Sequence, residues 1–192
     1  DTLSLHDALP IYKLIHKETL TGFKWISKVE NLIFGYEEAL GYCIDPTNVN
    51  DKDGISAALM IAQIAADLNK KGTTINDYLV ELGQEYGFHS TEQISIRYAE
   101  LDLIDQTIVK MTNNPPKMLG KFELKSLEDL NSSKSMPTVG IRLHYGNNIR
   151  VIIRPSGTEP KLKCYIEVVS TSQEESVLIT SQIKQALTKV LS

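Results

Sequence analysis

The segment Arg154-Pro155-Ser156-Gly157-Thr158-Glu159-Pro160-Lys161 runs directly into Leu162-Lys163-Cys164-Tyr165-Ile166-Glu167-Val168. Its second half alternates. Leu162, Cys164, Ile166 and Val168 share one side of an extended chain, and Lys161, Lys163, Tyr165 and Glu167 share the other, which is the pattern of a strand covering a core on one face. Its first half is a loop with the chemistry of a dianion site. Arg154 offers a planar fork that grips two oxygens at once. Ser156 and Thr158 add hydroxyl donors, and Gly157 between them lets backbone N–H groups approach a ligand closely. Pro155 and Pro160 stiffen both ends, so less loop entropy is lost on binding. The same residues also suit a polar turn between two strands with Arg154 in a surface ion pair. Residue types alone leave both readings open.

Outward from this stretch the pattern stays antiparallel. Val139 to Tyr145 and Ile149 to Arg154 alternate and are joined by Gly146-Asn147-Asn148, good chemistry for a hairpin turn. Gly120 to Leu127 reads as a further strand, and Lys161 to Val169 as the fourth. A helix follows: Ser172-x-x-Glu175 is a capping box, and Ile179, Ile183, Ala186, Leu187 and Val190 form a stripe to cover the sheet. Upstream, Asn113-Asn114-Pro115-Pro116 breaks the chain after a helical pattern over Asp102 to Met111. Ser95 to Tyr98 looks extended, and a domain boundary is placed near residue 100.

Before that boundary the periodicity is helical. Ile55 to Lys70 carries Ile55, Leu59, Ala62 and Ala66 on one stripe, widened by Ile61, Ile64 and Leu68, so a well-buried helix is expected, capped by Asp51 or Asp53 and stopped by Gly72. Thr74 to Tyr86 reads as a second helix with Ile75, Leu79 and Leu82 inward and Gly87 at its end. Leu32-Ile33-Phe34 reads as a short buried strand and Lys13 to His16 as another. Asp1 to Ile11 fits nothing downstream, resembles a translated sequencing adapter, and is set aside as a non-native leader.

Net charge is −4, which argues against nucleic acid as the main partner. No apolar run approaches the roughly 20 residues of a membrane span. Cys43 and Cys164 lie far apart and the four histidines are scattered, so no metal site is suggested and a reducing, cytoplasmic setting fits best. Asn50-Asp51-Lys52-Asp53-Gly54 lacks the acidic spacing of a calcium loop.

The loop Arg154–Lys161 with its Lys-x-Tyr-x-Glu strand resembles the phosphate-binding loop in the last domain of the α-D-phosphohexomutases, the family of phosphoglucomutases, phosphomannomutases and phosphopentomutases. Two further segments resemble the same family in the same order. Thr21-Gly22-Phe23-Lys24-Trp25 is similar to a third-domain segment near the substrate phosphate, which implies a place for Lys24 at the cleft; on residue type alone, Phe23 and Trp25 suit a core more than a sugar. Gly35-Tyr36-Glu37-Glu38-Ala39-Leu40-Gly41-Tyr42 stands where the family carries its sugar-recognition loop. Glu37 matches the sugar-binding glutamate, while Ala39 occupies the position of a serine, so one hydroxyl contact is absent or replaced. The family also carries a lysine before Asp-Gly that points into the cleft, which makes Lys52 a candidate contact. Without the resemblance, the paired acids read as a helix start, where the dipole favours them.

What the resemblance implies is specific. Residues 12–100 would be part of the third, α/β domain of a phosphohexomutase. Residues 101–192 would be the fourth, α+β domain, a four-stranded antiparallel sheet packed on helices. Arg154, Ser156, Gly157, Thr158 and Lys163 would bind the substrate phosphate; Glu37 and Lys52 would bind the sugar. The reaction would interconvert sugar 1-phosphates and 6-phosphates, or pentose 5-phosphates, through a phosphoserine and a bisphosphate, with Mg2+ and a sugar bisphosphate activator. A phosphorylated sugar would be the partner, with neither nucleic acid nor membrane. Neither a Thr-Ala-Ser-His serine motif nor an Asp-Gly-Asp-x-Asp metal loop occurs in the 192 residues, so this chain is expected to be a C-terminal part without catalytic residues of its own. A stand-alone sugar-phosphate or anion-binding module is the alternative. An RNA-binding sheet is a third, supported only by Tyr165 among basic residues.

Overall fold

The chain divides into two units between Glu81 and Leu82. The computed structural model describes residues 15–20, 22–37, 41–132, 137–157 and 159–191. Segment 1–11 and half of the strand expected over Lys13–His16 lie outside the described residues; Ile15 and His16 belong to no strand.

In the first unit a single turn of helix, α1 (Phe23–Ile26), precedes a hairpin of β1 (Gly35–Glu37) and β2 (Gly41–Cys43), paired antiparallel with Tyr36 opposite Tyr42. Phe23, Ile26 and Cys43 are buried together, with Leu32 against them. Helix α2 (Gly54–Lys70) starts where expected because Asp53 caps it: its carboxylate accepts from the N–H groups of Ile55 at 3.1 Å and Ser56 at 3.0 Å. Helix α3 (Ile75–Tyr86), whose residues from Leu82 on are counted with the second unit, is opened by Thr74 and Asp77, whose side chains each accept from the other's backbone N–H.

Three expectations fail in this unit. The stripe on α2 is not covered: Ile55, Leu59 and Ile61 are 83%, 72% and 53% exposed, and among the described residues of α2 only Leu68 is buried. Ile75 and Leu79 of α3 are exposed as well. Leu32-Ile33-Phe34 is not a strand; β1 begins at Gly35, and Ile33 and Phe34 stand largely in solvent. Periodicity sets the helix, but burial needs a second layer, and the described part of this unit offers only a two-stranded sheet.

In the second unit six strands form one antiparallel sheet, not the four expected. They are β3 (Phe88–Arg97), β4 (Met118–Leu119), β5 (Phe122–Asp129), β6 (Ile141–Tyr145), β7 (Ile149–Pro155) and β8 (Lys161–Ser170), in spatial order β3-β8-β7-β6-β5-β4. The additional strands are the short β4 and the long β3, which pairs with β8 from Phe88↔Ser170 to Arg97↔Lys161. Residues 88–97, placed before the boundary in the sequence reading, thus belong to this sheet. His89-Ser90-Thr91-Glu92-Gln93 is polar at inward and outward positions alike, so half of β3 lacks the alternation of a half-buried strand.

Helices α4 (Leu101–Asn113) and α5 (Gln173–Leu191) close one face of the sheet. The core there is dense: Leu143, Val151, Ile153, Leu162, Cys164, Val168, Ile183 and Leu187 are completely buried. Each such aliphatic contributes about 1.5–3 kcal/mol relative to exposure. The alternation read on β8 holds at every position, and burial pushes the Cys164 thiol up to about 12. The capping box on α5 is half realised. The N–H of Glu175 donates to Ser172 Oγ at 3.2 Å, but the Glu175 carboxylate turns to the hydroxyls of Ser170 and Thr171. Val190, expected to cover the sheet, is exposed, whereas Ser176 and Thr180 are buried, each donating its hydroxyl to a backbone carbonyl of its own helix region. No described helix is long and apolar enough to cross a membrane.

Candidate functional site

In the first unit the β1–β2 hairpin sets the position of Glu37. Its register partner is Gly41, and a Cβ there would stand 2.6 Å from both the Glu37 side chain and the Phe23 ring. The missing side chain is what allows the ring to pack under the hairpin and the carboxylate to lie beside it. Lys52 is fixed from the other direction. The N–H of Asp53 donates to Tyr42 O at 2.8 Å, and Asp51 Oδ1 accepts from the N–H of Lys52 at 2.7 Å, tying the turn to β2. The outcome is an ion pair of Lys52 Nζ with Glu37 Oε1 at 3.6 Å, the carboxylate 12% exposed and the lysine 56%. Lys52 Nζ also lies 5.9 Å from the centre of the Phe23 ring.

Acceptor and donor therefore stand side by side, which suits a ligand carrying vicinal hydroxyls. Lys24 has a different setting. It is exposed on α1, and its ammonium lies 5.6 Å from the centre of the Trp25 ring, itself exposed. Of the aromatic pair in the Thr-Gly-Phe-Lys-Trp segment, Phe23 packs the core and Trp25 does not. Tyr36 and Tyr42 form a ring pair with centres 5.2 Å apart, but strand alternation puts them on the hairpin face opposite Glu37. Ala39 lies outside the described residues.

In the second unit the loop between β7 and β8 is closed by its own backbone. Ser156 N–H donates to Lys161 O at 2.8 Å and Lys161 N–H to Glu159 O at 2.7 Å, while Tyr98 N–H donates to Pro160 O at 3.0 Å from the end of β3. Glu159 is taken up by Lys161 at 2.9 Å and Arg97 at 3.3 Å, which hold its carboxyl below the usual range. Thr158 lies outside the described residues. Gly157 faces open space: a Cβ added to it would meet nothing within 4 Å.

Pairing of β7 with β8 sets Arg154 directly opposite Lys163 on the sheet face turned away from the helices. Like charges in that relation destabilise a sheet. Elsewhere on the face arginines have acids: Arg150 pairs with Glu167 at 2.6 Å and Arg142 with Glu128 at 3.1 Å. Among the described residues no carboxylate forms an ion pair with Arg154 or Lys163. What Arg154 has is Tyr165, whose hydroxyl accepts from Nη2 at 2.9 Å and whose ring centre lies 5.2 Å from the guanidinium carbon. The sequence reading missed this role for Tyr165; the Arg-x10-Tyr spacing reveals it only once the strand register is known.

Among the described residues no group of three His, Cys, Asp or Glu side chains could hold a metal ion.

Comparison with known proteins places both halves. Residues 2–86 match the alpha/beta/alpha domain III of phosphoglucomutase/phosphomannomutase, and residues 109–178 match the C-terminal domain of the same family. The first match runs across most of the opening segment set aside above. Similar proteins include a probable phosphomannomutase of Haemophilus influenzae, 37% identical over 94% of this chain and 37% of that protein. A human phosphopentomutase is 31% identical over 92% of this chain and 32% of its own length. A Staphylococcus aureus phosphoglucomutase is 32% identical over 80% of this chain and 32% of its own length. The chain thus spans about a third of the length of the relatives it matches.

Proposed function

Since the chain belongs to the phosphoglucomutase/phosphomannomutase family, we propose that it is part of a phosphosugar mutase and supplies that enzyme with substrate-phosphate binding and sugar recognition. One observation carries this reading: Arg154 and Lys163 face each other across two strands with no carboxylate ion-paired to either among the described residues, beside a loop open to solvent at Gly157. Two cations in that relation, with only the longer-range charge of Glu159 reaching Lys163, favour a dianion between them. Ser156, Gly157 and Thr158 would complete the grip with hydroxyl and backbone donors. Glu37 and Lys52 would bind sugar hydroxyls, the carboxylate accepting and the ammonium donating. Lys24 would lie at the rim of the cleft.

In such an enzyme a phosphoserine passes its phosphoryl group to one end of a sugar phosphate, and the bisphosphate turns and returns the other. The work of these residues is then positioning: the phosphate that is not transferring is held while the hydroxyl at the other end is presented. The fit of one carboxylate and one ammonium to vicinal hydroxyls suits a sugar bound in either direction. A sugar bisphosphate activator would use the same grip. The chain as given encodes neither the serine motif nor the metal loop, so no turnover is expected from it on glucose 1-phosphate.

Titration calorimetry of this chain with glucose 1-phosphate tests the reading. Arg154→Ala should weaken binding by about 1.5–3 kcal/mol, the range for a hydrogen bond to a charged group. Unchanged affinity removes the loop from the site. Glu37→Gln should weaken glucose 1-phosphate while leaving inorganic phosphate alone; equal loss of both, with loss of folding, makes Glu37 structural.

A further inference from the structure

We propose that Tyr165 is a positioning residue that holds the Arg154 guanidinium in its phosphate-binding orientation, an assignment that rests on the phosphate reading of the loop. Register is the starting point. On the outer face of the sheet Arg154 stands opposite Lys163, and Tyr165 is the next outward residue along β8, opposite Ile152. Arg154 and Tyr165 are therefore diagonal neighbours on adjacent strands, a separation that only a long side chain and an aromatic one bridge. They bridge it twice over. Nη2 donates to the tyrosine hydroxyl at 2.9 Å, and the guanidinium carbon lies 5.2 Å from the ring centre. Nη1 is directed to Pro155 O at 3.5 Å, a long contact. A guanidinium has five donors in a fixed fork, so these contacts leave others to meet an anion while fixing the plane in which they lie.

Burial does not demand this contact. Tyr165 is only partly buried, on the face away from the core. Nor does charge: the neighbouring arginines 142 and 150 are oriented by carboxylates, whereas Arg154 is oriented by a neutral hydroxyl. The distinction matters chemically. A carboxylate would neutralise the guanidinium and compete with phosphate; a phenol restrains it and leaves its charge intact. An arginine already restrained loses less rotamer freedom when the ligand arrives.

The test uses Tyr165→Phe, which keeps the ring and removes the hydroxyl, in the full 192-residue chain with inorganic phosphate as the probe. Phosphate affinity should fall roughly three- to tenfold, the range for one lost hydrogen bond. In an Arg154→Lys background, where no fork remains to orient, the same substitution should have no further effect. Equal losses in both backgrounds overturn the proposal, because a structural tyrosine would act whichever cation stood at 154. The arginine side-chain nitrogen resonances give a readout that needs no ligand. Rotation of the Arg154 guanidinium should be slow in the parent chain and fast in Tyr165→Phe, and fast rotation in both overturns the assignment. Slow rotation relieved by Tyr165→Phe, with phosphate affinity indifferent to Arg154→Ala, would sink the phosphate reading and the proposal's functional half with it, leaving only the contact.

Discussion

Helix α2 and strand β8 are both strongly patterned, yet one leaves most of its apolar stripe in solvent and the other buries all four of its inward apolar residues. On β8 the inward side chains meet α4, α5 and two neighbouring strands, and Leu162, Cys164, Ile166 and Val168 are sealed. On α2 the stripe of Ile55, Leu59 and Ile61 remains open although the helix is well formed and well capped. Local pattern and capping are enough to make an element. Only a second layer turns the pattern into stability, since helical stability in proteins comes mainly from packing of the apolar face.

The largest effect should come from reversing that contrast by substitution. Ile166→Ala in the sealed core should cost about 2–5 kcal/mol, as truncations of buried aliphatics do, read as a lower urea midpoint of the far-ultraviolet signal. Leu59→Ser on the open stripe should change that midpoint by less than about 0.5 kcal/mol, the level of surface substitutions. Comparable losses at both positions would show that α2 is covered in solution. A middle-sized effect sharpens the comparison from the capping side. Asp53→Ala removes both acceptors at the N-terminus of α2 and should loosen its first turn, seen as faster amide exchange over residues 54–58, with exchange in β6–β8 unchanged.

The smallest effect is electrostatic and confined to the outer face of the sheet. Glu167 holds His89 above its ordinary value, and His89, more than Arg150, holds the Glu167 carboxyl below its own. A raised histidine stabilises fully below its unfolded value and loses that contribution as pH rises through the folded one; a depressed carboxylate stabilises above its unfolded value and loses it in acid. The His89–Glu167 contact at 3.6 Å is therefore most useful between the ordinary carboxylate and imidazole values, about pH 4.5 to 6.5. His144 has the opposite sign. Burial first, then Arg142 and Arg150, hold it low, so protonation below about pH 6.5 costs stability. The two offset on acidification. His89→Gln should make stability fall by a further few tenths of a kcal/mol between pH 7.5 and 5.5, a size set by solvent screening of a pair this exposed. His144→Gln should lift it over the same range. Parallel pH profiles for the two variants would break the assignment.

Much of the second unit was legible because its signals are local. The alternation of β8, the Gly146-Asn147-Asn148 turn and the stripe through Ile183 and Leu187 each lie within one element. The sixfold sheet was not, since β3 shows the sequence a row of polar residues, and its membership depends on a partner far along the chain. The site divides the same way. Arg154, Ser156 and Gly157 stand out as candidates by residue type, which leaves a dianion site and a polar turn both open. The pairing of Glu37 with Lys52 requires the hairpin and the turn to fold first. The grip of Tyr165 on Arg154 depends on strand register, which residue types do not carry.

The pairing of Phe88 with Ser170 and of Arg97 with Lys161 has a consequence for how this molecule is made. Strand β3 leaves the ribosome early and its partner late, so through the synthesis of everything between them its hydrogen-bonding edge has nothing to join. Closing so long a span costs loop entropy before any contact repays it. The second unit should therefore assemble only once β8 is complete, in one late step, with β3 waiting as an unpaired edge and a target for stray association until then.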